Sequence, residues 1–150
     1  MRLTQFSDYA LRTVLYLGGH PERIVPVSEV ARAYRISYNH LAKVAALLCE
    51  LGVVEAVRGR SGGLRLAMAP ANINIGWLVR QTEPDFTLVD CFAPETDTCP
   101  ISSECRLRKV LNDALRQFLA ELDAHTLADF QATPSRQERL VQLWRAARIA

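Results

Sequence analysis

The chain has 150 residues, 49% of them hydrophobic and 23% charged, with a formal net charge of +2, four cysteines and three histidines. That is enough apolar material for one substantial domain, or a small domain with an appendage, built on a real core. No run approaches the ~18 apolar residues of a membrane-spanning helix. Gln5, Ser7, Asp8 and Arg12 interrupt the opening MRLTQFSDYALRTVLYLGG at helical intervals, which argues against a signal peptide, so the expected compartment is the cytoplasm, where thiols stay reduced.

Charge is unevenly placed. Residues 1–70 carry nine Lys/Arg against five Asp/Glu, residues 71–105 one against six, and residues 106–150 eight against five. The basic first block suits an anionic polymer, whereas the acidic middle does not, so binding and sensing are expected in different parts of the chain.

Leu3, Phe6, Ala10, Val14 and Leu17 recur at three- and four-residue spacing, which predicts a first helix ending at Gly18-Gly19. Ser28 is the expected N-cap of a short helix, EVARAYR. Ser37 is the expected N-cap of a longer one, YNHLAKVAALLCEL, with Gly52 at its C-terminal stop. Short helix, tight turn and second helix form the helix-turn-helix layout, in which the second helix reads DNA. VVEAVRGRSGGLRLA then supplies two β-prone runs, Val53 to Arg58 and Leu64 to Ala67, around a basic glycine-rich turn, the wing of a winged helix.

Tyr38, Asn39 and His40 fall in the first turn of the reader helix, where side chains approach base edges, and asparagine can pair with adenine through two hydrogen bonds. Lys43, Arg58 and Arg60 suit phosphates or the minor groove, and Ser37, Ser61 and Gly62 complete the expected DNA-facing set. Cys49, on the apolar side with Val44, Leu48 and Leu51, reads as core packing.

A short connecting helix is expected around Gly76 to Gln81, with Trp77 as a packing residue. The segment DCFAPETDTCPISSECR is rich in turn formers and holds Cys91, Cys99 and Cys105 in a C-x7-C-x5-C spacing. Zinc usually announces itself through C-x2-4-C knuckles, and no histidine lies within this loop, so the wide gaps favour an iron-sulfur cluster over zinc or a redox disulfide. Three thiolates leave such a site one ligand short.

From about Ser103, Leu107, Val110, Leu111, Leu115, Phe118, Leu119 and Leu122 form a broad apolar stripe on a long helix. The small N-terminal domain offers little surface to cover it, so pairing with a second copy is expected, which would present two reader helices to a palindromic site. A last amphipathic segment, PSRQERLVQLWRAARIA, places Leu140, Val141, Leu143, Trp144 and Ala147 on one side. Either the dimer helices or the phosphate-facing surface could receive it.

The expected fold is mainly α with a small β-hairpin: a winged helix-turn-helix over residues 1–70, a connecting helix and cysteine loop over 71–102, a dimerisation helix over 103–125 and a helical extension over 126–150. No nucleotide-binding glycine motif or nucleophile-base constellation is present, so no enzyme is expected.

The opening MRLTQFSDYALRTVLYLG, the reader YNHLAKV, the wing VRGRSGGLRLA and LVDCFAPETDTCPISSECRLRKVL together resemble the winged-helix iron-sulfur transcription regulators, over about residues 1–125. Within that family the cysteine segment looks more like the nitric-oxide-sensing repressors than the cluster-homeostasis regulators, which carry a histidine shortly after the third cysteine where Arg106, Leu107 and Arg108 stand here. The resemblance implies a homodimeric repressor in which Cys91, Cys99 and Cys105 bind a 4Fe-4S cluster and nitrosylation releases operator DNA. It further implies that Asp8 of the partner subunit is the fourth ligand, a hard carboxylate that leaves one iron open to nitric oxide.

Overall fold

A computed structural model describes residues 2–131 and 133–149. Among the described residues six α-helices and one hairpin follow in order: α1 (Gln5–Gly18), α2 (Val27–Tyr34), α3 (Tyr38–Glu50), β1 (Val54–Val57), β2 (Gly63–Leu66), α4 (Ile75–Thr82), α5 (Arg106–Asp123) and α6 (Pro134–Ile149). Short 3-10 turns lie at Pro70–Asn72, Asp90–Phe92, Ser102–Glu104 and Leu127–Phe130.

Helix α1 starts where Thr4 Oγ1 accepts the Ser7 N–H at 3.3 Å, and the carboxylate of Glu83 accepts the Thr4 N–H at 2.7 Å, tying the end of α4 to the start of α1. Its face of Ala10, Val14 and Leu17 is buried with Val30, Leu41, Val44, Leu48, Val53 and Leu64, which makes one core beneath the helix-turn-helix and the wing. Each such aliphatic side chain taken out of water contributes about 1.5–3 kcal/mol before entropy is counted.

The turn between α2 and α3 is made by Arg35 in the left-handed region, φ 56°, after which Ile36 drops into the core. The Ile36 N–H donates to the Ala31 carbonyl at 2.9 Å, closing α2. Gly52, at φ 69°, ends the reader segment at the expected stop. The α2 cap differs from expectation: Pro26 occupies the N-cap and Ser28 lies inside the first turn. Proline's fixed φ and missing N–H suit the entrance to a helix, where N–H groups have no partner anyway.

In the wing, β1 and β2 pair antiparallel from Val54↔Leu66 to Val57↔Gly63. Val25 joins them through two 2.8 Å backbone bonds with Leu64, so the loop before α2 ties the wing to the reader module.

Asn74 builds the joint between α4 and α5. Its side-chain oxygen accepts the Trp77 N–H at 2.8 Å, and its amide donates to the Asp123 carbonyl at 2.7 Å and the His125 carbonyl at 3.2 Å. Arg80 grips the Asp123 carboxylate with two nitrogens. Trp77 is 36% exposed rather than packed, because α4 buries Leu78 and Val79 instead.

Helix α6 packs on α2. Trp144, 9% exposed, lies against Tyr16 and His20 with ring centroids 4.6 and 5.4 Å away, and meets Tyr34 edge-on at 6.2 Å. The Gln137 amide donates to the Gly19 carbonyl. Leu143, expected on the apolar side, is exposed instead.

Candidate nucleic-acid interface and cysteine loop

Along α3 the apolar positions Leu41, Val44, Ala45 and Leu48 face the core. The opposite face therefore presents Ser37, Tyr38, Asn39, His40 and Lys43, all exposed, with Tyr38 55% accessible. Ser37 stands at the N-cap, but its side chain accepts no helix N–H. The first-turn N–H groups are thus open to an anion, at the positive end of the helix dipole.

At the wing tip, Arg58, Arg60 and Ser61 are exposed and Gly62 is half-buried. Gly59, at φ 112°, makes the turn. Among the described residues neither Arg58 nor Arg60 has an ion-pair partner, whereas Arg65 is held by Glu55 on the facing strand. The wing therefore offers two uncommitted cations at its tip, its third arginine being paired across the strands.

The cysteines lie along an irregular segment. Cys91 falls in the turn Asp90–Phe92 and is half-buried, and Cys99 is exposed with its N–H donating to Asp97 at 3.1 Å. Cys105 is the N-cap of α5, its sulfur accepting the Arg108 N–H at 3.4 Å. All three thiols are free, and so is Cys49, whose thiol is pushed up by burial. Their donor chemistry fits an iron-sulfur cluster, although among the described residues no three Cys, His, Asp or Glu side chains of this single chain already stand together as a metal site.

Asp8, on α1, is engaged elsewhere. Its carboxylate receives two 2.8 Å contacts from Arg12, whose guanidinium lies 5.6 Å from the centre of the Tyr34 ring on α2. Reading the sequence for ligands passed over Arg12, although its i, i+4 spacing from Asp8 is the signal of such a pair.

A reader helix with an open first turn, a wing with uncommitted arginines and a shared core define a winged helix-turn-helix transcriptional regulator. The chain belongs to the Rrf2 family, described as iron-dependent transcriptional regulators, whose profile matches residues 3–133. It is 46% identical over 144 residues to the HTH-type transcriptional regulator NsrR of Halalkalibacterium halodurans, covering 95% of this chain and 99% of that protein. NsrR of Bacillus subtilis is 48% identical over 130 residues, 86% of this chain and 89% of the other. Among solved structures, T. potens IscR superposes with a TM-score of 0.68 at 24% identity, covering 86% of this chain and 85% of that one. CymR, the global cysteine regulator of B. subtilis, does so at 0.66 and 25%, covering 87% and 96%.

Among the described residues no helix is long and apolar enough to cross a membrane.

Proposed function

We propose that the chain acts as a homodimeric repressor that holds a 4Fe-4S cluster on Cys91, Cys99 and Cys105 and responds to nitric oxide. The observation that carries this reading is the trio of free thiols on one acidic segment whose last member caps α5. The likeness to NsrR supports it.

In this reading residues 1–70 bind a palindromic operator, 71–102 together with Cys105 carry the cluster, 103–125 pair two subunits and 126–150 form an extension. Pairing through α5 answers an energetic problem: that helix buries none of its residues in the single chain, and Leu107 and Val110 are 63% and 60% exposed. On the DNA side, Asn39 and His40 reach base edges, Tyr38 and Ser37 frame them, and Lys43, Arg58, Arg60, Ser61 and Gly62 meet the backbone.

Asp8 of the partner subunit is the proposed fourth ligand. When bound, a cluster supplies irons with which nitric oxide reacts, most openly at a carboxylate-held position. The residues of this chain then do the rest. To serve as a ligand, Asp8 must leave Arg12; once released, it regains Arg12, and the guanidinium that stands over Tyr34 changes partners beside the helix-turn-helix. A change of about 1.4 kcal/mol in coupling alters DNA affinity tenfold, so a small reorientation of the reader helices suffices.

The test is anaerobic purification with iron, sulfide and zinc analysis, then nitric oxide titration followed by visible absorbance and DNA retardation together. Iron and sulfide with tighter DNA binding in the loaded dimer is the expected result. Zinc alone, or equal binding by the loaded and empty forms, sinks the proposal. Asp8→Ala is expected to keep a cluster on three thiolates, but a more labile one that couples poorly to DNA.

A further inference from the structure

The family profile ends at residue 133 and α6 begins at Pro134, so this helix lies outside the matched region. Its docking is specific: Trp144 is packed among Tyr16, His20 and Tyr34, and Gln137 bonds to the end of α1. That anchorage sets the last turn of α6 beside the reader module. Ala147 lines one cleft with Arg32, Arg35 and Tyr38, the last being the first residue of α3. Arg145, two residues before Ala147, borders a second cavity of about 560 Å³ with Tyr16 and His20, where Arg23 is already held by Glu29.

Arg32, Arg35 and Arg145 are exposed, and among the described residues none has an ion-pair partner. From residue 134 onward the chain carries four arginines against one glutamate. Uncommitted cations on two helices packed against each other, two of them beside Tyr38, raise the local positive potential, and a polyanion relieves it.

We propose that α6 is part of the DNA interface, its last turn adding Arg145 to Arg32 and Arg35 of α2 as a second phosphate-contacting rim beside the first turn of α3. The chain thereby grips the backbone flanking the groove that α3 reads. This rests on α3 and the wing forming the DNA face. A different role for the same arginines, offsetting the negative C-terminal ends of their own helices, would act on stability and not on DNA.

The experiment measures binding of the full chain to a mixed-sequence duplex by fluorescence anisotropy between about 50 and 200 mM salt, where each phosphate contact contributes about 0.9 to the slope of log affinity against log salt. Arg145→Gln and the double variant Arg32→Gln/Arg35→Gln are compared with Arg58→Gln/Arg60→Gln at the wing tip, with circular dichroism and melting recorded for each. The rim variants are expected to keep their helical signal, to bind several-fold more weakly at low salt, and to lose about 0.9 of slope per contact removed. If they keep the wild-type slope while the wing variant loses slope, the rim is refuted and the DNA face stands. The rim is equally refuted if they melt earlier at an unchanged slope. If the wing variant also keeps its slope, the DNA face itself is wrong and the rim falls with it.

Discussion

Replacing Gly76 with alanine tests whether the α4–α5 joint is as close as the structure has it. Gly76 is buried on α4, and a Cβ there would collide with the Asp123 carboxylate and stand 2.8 Å from the Asp123 backbone nitrogen. Two effects oppose each other. Alanine in place of glycine within a helix gains about 1 kcal/mol of helix propensity. Forcing an extra carbon into a filled contact costs about 1–3 kcal/mol, and the backbone part of this clash cannot be relieved by a rotamer change. The overlap also displaces the carboxylate that Arg80 holds and strains the bond from Asn74 to the Asp123 carbonyl. Overpacking is therefore expected to win by about 1 kcal/mol, lowering the melting temperature by about 2–4 °C for a chain of this size. Thermal and urea unfolding of Gly76→Ala, alone and combined with Asp123→Ala, provide the assay. The double variant should recover the side-chain part of the loss and keep the backbone part. A Gly76→Ala protein more stable than wild type, as helix propensity alone demands, would refute the close approach and with it the geometry joining the wing domain to α5.

Trp144→Ala removes the anchor of α6 and is expected to cost about 3 kcal/mol, with unchanged melting showing that the helix does not dock on α2. Timed alkylation of the reduced protein followed by peptide mapping should label exposed Cys99 first and Cys49 last, since burial raises the Cys49 thiol and lowers its thiolate fraction; early labelling of Cys49 contradicts its packing against the core. The hydrogen bonds from Arg80 hold the Asp123 carboxyl below the usual aspartate range. Because the folded-state pKa is depressed, the stability it contributes is present above the unfolded value near ~3.9 and is lost as pH falls through the lower folded one. The melting difference between wild type and Asp123→Asn should therefore be present at neutral pH and vanish in acid, and a difference that persists there contradicts the pairing.

Much of the winged helix-turn-helix was legible without coordinates because its signals are local. The spacing of Leu41, Val44, Ala45 and Leu48 places Tyr38, Asn39 and His40 on the outer face of one helix, and the glycines of RGRSGG can only be a turn between two β-prone runs. The irregular course of the segment that holds Cys91 and Cys99 was equally legible, since a run rich in Pro, Asp and Thr has no helical or strand period to follow.

Whatever depended on which surfaces meet could not be read that way. Arg65 looks like a third wing cation until register sets it opposite Glu55, and Asp8 looks like an unattached acid until Arg12 closes on it one turn later. Trp77 and Trp144 are both tryptophans on amphipathic helices, yet α4 turns the first toward solvent, and Tyr16, His20 and Tyr34 enclose the second. The amphipathic pattern of α6 specified an apolar face without specifying its partner, because periodicity records that a side must be covered and not by what. Only the tertiary structure put that face on α2 and Ala147 in a cleft with Arg32, Arg35 and Tyr38, since docking is decided by the shape of a surface assembled from residues distant in the chain.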